Sequence, residues 1–435
     1  MKTEVNVFWF RRDLRLDDNS GLYHALKSGL PVLPVFIFDR DILDKLADKD
    51  DSRVTFIYKA INELNIQLKT WCSSILVKYN FPINAWEEIL KDHNVRNIYT
   101  NHDYEPYACK RDSLLLELFK EKNVGLNTYK DQVIFEKSEI VKDDNQPYTV
   151  FTPYKRKWLD KLNEFYIRPY PTKQYFDNFF KESSHPVPSL ESMGFENSKI
   201  AFPDKKYNDI ISNYKDTRNF PGINGTSRIS VHLRFGTISI RKLTKDANSS
   251  VEKTWLNELI WRDFYAMILW HFPYTVEKAF KPQYDQIDWR NDPEEFTLWC
   301  EGKTGFPIVD AGMRELNATG FMHNRVRMVT ASFLSKHLLI DWRWGEAYFA
   351  RKLLDYDQAS NVGGWQWAAS SGNDSAPYFR VFNPDLQTQK FDPKLEYIKK
   401  WIPEFDDPFK YPRPMVDHKL ARERVLKAFK LALSK

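Results

Sequence analysis

The chain has 435 residues, 42% hydrophobic and 28% charged, so it is a globular chain of two or three domains and not a disordered one. Lys and Arg number 64 against 59 Asp and Glu, a net of +5, which permits a nucleic-acid partner without demanding one. Three cysteines stand far apart with no C-x-x-C, which excludes a disulfide scaffold and a cysteine zinc site and fits a reducing cytoplasm. The opening MKTEVNVFWFRRDLRLDD meets charges after a short apolar run and does not read as a signal peptide. The apolar stretch 266–272 is shorter than the ~20 residues of a membrane span.

The first 130 residues alternate between apolar runs and helical patterns. Residues 5–10 are an apolar run ending in charges, and Leu22, Ala25 and Leu26 repeat at helical spacing. Residues 31–38 (PVLPVFIF) are continuously apolar, as in a strand covered on both faces. A helix is predicted over 53–71, then strand 75–79, helix 83–91, strand 97–100, helix 110–122 and strand 126–129. Strands alternating with helices imply an α/β domain over residues 1–130, with a doubly wound, Rossmann-like parallel sheet. The first strand runs into RRDLRLDDNSG and not G-x-G-x-x-G, so the usual pyrophosphate turn is missing and the fold alone names no ligand.

Residues 131–205 carry Pro at 147, 153, 169, 171, 186, 188 and 203 and read as a connecting segment across the surface. They include Lys155-Arg156-Lys157 beside Trp158, read as a solvated charge run. From 206 to 435 the strand signal fades. Stretches 251–272, 295–300, 308–318, 324–338 and 344–354 repeat at helical spacing, so this part is predicted to be all-α. Ten of the 14 Trp lie here, so a large planar cofactor would sit in this half.

Four constellations in this half carry chemistry. Thr226-Ser227-Arg228-Ile229-Ser230 follows Asn224-Gly225; its hydroxyls and Arg suit phosphate oxygens, but seen alone they read first as an ordinary helix N-cap. Trp255, Glu258, Trp261, Arg262 and Tyr265 share one helix face, either a pocket wall or a buried Glu258–Arg262 pair in an aromatic core. In His323-Asn324-Arg325-Val326-Arg327-Met328, Asn324 offers a donor and an acceptor to a base edge. Arg325 and Arg327 have no acid within four residues and suit phosphate, a distant carboxylate or a solvated basic face; His323 has no partner at metal spacing. In Asp355-Tyr356-Asp357 through Trp367, the pair Gly363-Gly364 either lets the backbone approach something flat or turns between two helices. No further ligand stands at metal spacing there, and no metal is expected.

The segments 8–15 (FWFRRDLR), 226–230, 255–265, 322–328 and 361–384 (NVGGWQWAASSGNDSAPYFRVFNP) resemble, in order and over essentially the whole chain, the DNA photolyase/cryptochrome family. The nearest branch is the class I cyclobutane pyrimidine dimer photolyases. The resemblance implies an α/β antenna-type domain (1–130), a connector (131–205) and an all-α FAD- and DNA-binding domain (206–435). It implies that Tyr214 and Thr226, Ser227, Arg228, Ile229 and Ser230 hold the FAD phosphates and ribityl chain. Asp355, paired to Arg327, with Tyr356 and Asp357, would border the flavin ring, and Asn361 would face its N5 and favour reduced forms. Trp365, Trp342 and Trp289 would form the electron-transfer chain, with Trp289 outermost. Glu258, Asn324 and Met328 would serve catalysis on the lesion, with Trp261, Arg262, Arg325 and Trp367 on DNA.

The implied activity is that of a deoxyribodipyrimidine photo-lyase: reduced FAD, excited by blue light, lends an electron to a cyclobutane dimer flipped out of UV-damaged DNA. Trp261 and Trp367 would stack on it, at roughly 1–3 kcal/mol per base, and Glu258 in a mostly apolar pocket would hydrogen-bond the accepting pyrimidine. Alternatives are a blue-light receptor of the cryptochrome type without repair, or repair of (6-4) photoproducts. Against the latter, the family's (6-4) enzymes have a His pair where His323-Asn324 stands. Tyr107 and Ala108 stand where an Asn and a Glu would bind a folate antenna, so folate is disfavoured and a flavin or deazaflavin antenna, or none, is expected. The chain is expected to be a cytoplasmic monomer.

Overall fold

The computed structural model describes residues 2–182 and 185–434. The chain divides into two compact units: Met1–Glu136 with Lys161–Lys205 and Ile229–Ser249, and Lys137–Asp160 with Lys206–Arg228 and Ser250–Lys435.

The first unit is built on a five-stranded parallel sheet: β1 (Glu4–Phe10), β2 (Val32–Asp39), β3 (Leu76–Asn80), β4 (Asn94–Asn101) and β5 (Gly125–Tyr129), in the order β3-β2-β1-β4-β5. Val7 pairs with Leu33 on one side and Ile98 on the other, so β1 is central. Side chains alternate across the sheet. Val5, Val7, Trp9, Leu33, Val35 and Ile37 join Trp86 and Ile89 of α3 (Pro82–Asp92) and Leu115 and Phe119 of α4 (Pro106–Glu121) in one core. Phe8, Phe10 and Phe38 are also buried, which explains the unbroken apolar runs. The helices α1 (Ser20–Leu26) and α2 (Ser52–Lys69) complete the alternation. α4 begins four residues earlier than its apolar pattern, because Pro106 supplies a preformed N1 position.

The predicted boundaries at 130 and 205 do not coincide with the units. Residues 131–205 are no free-running connector. Their aromatics are anchors: Tyr154 and Trp158 of α5 (Phe151–Lys161) are fully buried in the second unit. In the first unit Thr172 Oγ1 donates to the Leu16 carbonyl (2.8 Å), and the Phe180 N–H donates to the Val32 carbonyl (2.8 Å). Residues 229–249, predicted to belong to the helical domain, join the first unit through a buried charge network. Arg241 Nε donates to Asp18 (2.7 Å) and Nη2 to Asp131 (2.7 Å), and Arg15 donates to Asp131 from the other side (2.6 Å). Burial pushes the Asp131 carboxyl up, but Arg15 and Arg241 outweigh it and hold it low. Removing one member of such a set costs about 3–5 kcal/mol, so the segment is firmly tied.

The second unit is helical. Its principal helices are α6 (Thr254–His271), α7 (Pro307–Thr319), α8 (Asn324–Ser332), α9 (Trp342–Lys352), α10 (Gln358–Ala368) and α11 (His418–Leu433). Trp299, Phe333, Trp342, Phe349, Val362 and Trp365 share its central core. The helix predicted over 324–338 changes at Phe333–His337 into a π-helical turn. The stretch around Gly363-Gly364 is not a turn, and at Gly364, which is exposed, an added Cβ would meet nothing within 4 Å. The stretch lies inside α10, where a Cβ on Gly363 would come within 2.3 Å of the Tyr265 ring. Likewise a Cβ on Gly345 would meet Cη2 of Trp365 at 2.1 Å, so α9 packs on that indole only through glycine. Among the described residues no helix is long and apolar enough to cross a membrane, and no group of three or more His, Cys, Asp or Glu could hold a metal.

Candidate functional site

The helices of the second unit bring most of the predicted residues to neighbouring positions. On α6, Leu256, Leu259, Ile260 and Phe264 are buried, which leaves Glu258, Trp261, Arg262 and Tyr265 on the half-open side. Trp255, predicted to share that face, is instead core, stacked on Tyr207 at 5.5 Å. The sequence reading that paired Glu258 with Arg262 does not hold among the described residues. Glu258 forms an ion pair with Arg218, a residue no sequence motif singled out. Burial pushes the Glu258 carboxyl up while Arg218 opposes it, and the net shift is upward. The same turn ties in α8: Asn219 Oδ1 accepts from Arg325 Nη2 (2.7 Å), and Arg325 Nη1 donates to Met328 Sδ (3.7 Å). Glu258, Arg325 and Met328 are thus linked through two consecutive residues, 218 and 219.

Among the described residues Arg325 has no carboxylate partner, and it lies over the Phe391 ring at 4.4 Å. Burial, then the nearby Arg218 and Arg380, push its pKa down, as expected of a cation short of anions. Arg327 pairs with Asp355 (3.0 Å), the distant carboxylate its spacing left open, and donates to the Met322 carbonyl (2.7 Å). Asn324 is exposed at the start of α8, and Met328 is half-buried. His323 caps that helix: Nδ1 accepts from the Arg325 N–H (3.2 Å), which assigns the ring proton to Nε2. Nε2 is buried and finds no partner among the described residues. Burial, then Arg325 and Arg327, lower its pKa to about 4, so the ring is neutral at pH 7.

Several groups hold unused hydrogen-bonding capacity. The half-buried Thr226 and Ser227 precede Arg228, which adopts a left-handed backbone (φ 52°) and lies over the Phe321 ring at 4.6 Å. Ile229 and Ser230 fall in the first unit, where Ser230 begins a short helix and Ile229 is buried. Tyr214 lies under the Arg218 guanidinium at 5.7 Å. Asn361 donates its amide to Glu346, to the carboxylate at 2.9 Å and the carbonyl at 3.2 Å, which fixes the amide and leaves Oδ1 as a free acceptor. Asp357 caps α10, accepting from the Ser360 N–H (3.0 Å) and hydroxyl (2.8 Å). Tyr356 packs beside the core. Hydroxyl donors, a neutral imidazole N–H, an arginine and a fixed amide carbonyl suit an anionic ligand with a polar aromatic edge.

The predicted electron-transfer indoles share the core. Trp365 and Trp342 are buried, and Trp289 packs on its edge against Phe429. Trp367 is half-buried, two residues beyond Trp365 on α10. Trp365 also meets Trp299, edge to face, at 6.0 Å. In the first unit, Tyr107 donates its hydroxyl to Asp39 (2.7 Å) at the end of β2, so the position expected for a folate ligand is already engaged.

Residues 6–174 match the family model described as DNA photolyase, and residues 255–431 match the one described as FAD binding domain of DNA photolyase. The deoxyribodipyrimidine photo-lyase of Halobacterium salinarum is 35% identical over 98% of this chain and 99% of its own length. A bacterial class III photolyase from Agrobacterium tumefaciens superposes with a TM-score of 0.88 at 30% identity, covering 100% of this chain and 99% of that one. An archaeal photolyase from Sulfolobus tokodaii, solved with two FAD molecules, superposes at 0.85 and 33% identity, covering 98% and 100%.

Proposed function

The chain belongs to the DNA photolyase family, and on that premise we propose that it repairs cyclobutane pyrimidine dimers in UV-damaged DNA, using light. The observation that carries this reading is the Arg218–Glu258 pair on the open side of α6, beside Trp261 and linked through Asn219 to Arg325 and Met328.

The donor set of the second unit fits FAD. Thr226, Ser227 and Arg228, with Tyr214 before them, would hold the phosphates and ribityl chain. His323 Nε2–H and Asn361 Oδ1 offer a donor and an acceptor to its polar edges, with the Arg327–Asp355 pair, Tyr356 and Asp357 bordering the ring. When bound, reduced and excited by blue light, FAD supplies one electron to the lesion and recovers it, so no net redox change occurs. Trp365, Trp342 and Trp289 would relay electrons that restore the reduced cofactor.

The chain's own residues act on the DNA. Arg262 and Arg325 bind backbone phosphates, so affinity falls as salt rises. Extrusion of the target from the duplex is standard among photolyases, and a fused pair that stacks poorly leaves at lower cost than intact bases. Trp261 and Trp367 stack on it, Met328 packs against it and Asn324 meets a base edge. Negative charge developing on the pyrimidine meets either a proton on Glu258, which burial favours, or the Arg218 guanidinium behind it. A flavin antenna, as in the Sulfolobus neighbour, is compatible with the engaged Tyr107. The enzyme is read as a cytoplasmic monomer, in keeping with its three free thiols.

The test is light-dependent restoration of a thymine-dimer oligonucleotide, with a (6-4) oligonucleotide beside it. Restoration of the dimer alone is expected. Restoration of neither by the reduced, FAD-loaded protein favours a blue-light receptor, and restoration of the (6-4) lesion overturns the reading of Asn324.

A further inference from the structure

One face of the Trp261 indole is already occupied. Phe151 lies flat against it, with ring centroids 3.7 Å apart and planes at 5°. Phe151 is the first residue of α5 and is buried, with its edge toward Phe264 at 5.7 Å. Trp261 itself meets Phe264 edge-on at 5.6 Å and Tyr265 at 5.4 Å. The indole is therefore packed on one face by Phe151, and the residue as a whole stays partly exposed.

What holds Phe151 comes from a distant part of the chain. Its backbone N–H donates to Asp374 Oδ2 at 3.0 Å, and Asn373 Nδ2 donates to the Thr149 carbonyl at 3.3 Å. Asp374 lies in the loop after α10, the helix that carries Trp367. That loop puts two non-glycine residues in left-handed backbone conformations, Ser370 (φ 68°) and Asp374 (φ 33°). Such conformations persist only where the surroundings enforce them. Ser371 and Gly372 supply part of that enforcement, both donating their N–H to the Gln366 carbonyl at 3.0 Å. Through this loop, the helix bearing Trp367 grips the start of the helix that backs Trp261.

Resting on the reading of Trp261 and Trp367 as lesion-stacking residues, we propose that Phe151, held by Asp374, is a positioning residue for lesion recognition: it fixes the plane of Trp261 so that an extruded pyrimidine stacks on the open face alone. An indole ordered during folding need not be ordered again on binding. Without its backing ring, Trp261 regains rotamer freedom that the lesion must remove. Loss of one such restraint weakens binding about 3- to 10-fold. The effect is confined to DNA with an extruded base, because undamaged duplex never reaches the indole.

The experiment compares Phe151→Leu and Phe151→Tyr with the parent in the FAD-loaded full chain, by fluorescence anisotropy on a thymine-dimer duplex and the matching undamaged duplex. Phe151→Leu is expected to raise Kd for the dimer duplex about 3- to 10-fold, leaving undamaged-duplex affinity and flavin photoreduction unchanged, and Phe151→Tyr, which keeps the ring, is expected to restore the parent value. An unchanged ratio of the two Kd values, or equal weakening on both duplexes, overturns the proposal and leaves Phe151 as core. Should Phe151→Leu lose FAD, Asp374→Ala carries the test: it frees the start of α5 without removing a ring, and a smaller loss with the same selectivity is expected. If the parent protein fails to prefer the dimer duplex, the underlying reading of the lesion site falls instead.

Discussion

Arg218→Met tests whether charge is what makes Arg218 matter. The side chains of the Arg218–Glu258 pair keep 29% and 33% of their surface exposed. The pair therefore lies between an exposed one, worth ~0–1 kcal/mol, and a buried one, whose breaking costs about 3–5 kcal/mol. A loss of roughly 1–2 kcal/mol is expected at neutral pH, or about 2–8 °C in Tm for a unit of this size. The pH dependence identifies the cause. Burial raises the folded-state pKa of Glu258 and Arg218 opposes the rise, so deleting Arg218 raises it further. A group with a raised folded pKa contributes stability that is complete below its unfolded pKa and disappears as pH climbs through the folded value. The variant should lose most at about pH 8 and least at about pH 5, where Glu258 takes up a proton and no lone charge stays buried. Adding Glu258→Gln should flatten that dependence. Thermal scans at fixed rate, followed by circular dichroism and by flavin fluorescence, read it directly. An equal Tm loss at both pH values would refute the charge argument and assign the effect to packing on Tyr214.

Glu258→Ala should lower repair per absorbed photon more than it lowers affinity for dimer-containing DNA; parallel losses in single-turnover yield and Kd would mean that Glu258 only binds. Trp289→Phe should slow photoreduction of oxidised FAD while repair by chemically reduced enzyme stays intact, and transient absorption showing an unchanged rate would remove Trp289 from the relay. Gly345→Ala should destabilise the second unit by about 1–3 kcal/mol through overpacking, since its Cβ would fall 2.1 Å from Trp365; a Tm equal to that of the parent would show that the indole can shift at no cost.

Much of this protein was legible in local pattern. Alternation of apolar runs with helical stretches placed all five strands within a few residues, most plainly β1 and β2, which are covered on both faces and so apolar almost throughout. Helical spacing placed Glu258, Trp261, Arg325 and Met328 on the helices that carry them, whereas the helix bearing Asn361 was not foreseen. Pattern fails where one residue satisfies another far away. Nothing near Arg218 marks it as the partner of Glu258, 40 positions on, because an ion pair needs proximity in space and leaves no periodic trace.

Segment membership fails for the same reason. Proline-rich 131–205 reads as a connector, yet buried aromatics anchor its parts, and Arg241 draws 229–249 to the sheet by meeting two buried carboxylates. Of the two sequence readings of the Gly363-Gly364 pair, the turn is excluded because both residues lie inside a helix, and Gly363 is required by the Tyr265 ring. Composition and periodicity thus determined the elements and the residue types brought to the site. Which charges meet, which face of an indole stays open and which segments fold together depended on long-range packing, because those interactions join residues the chain keeps far apart.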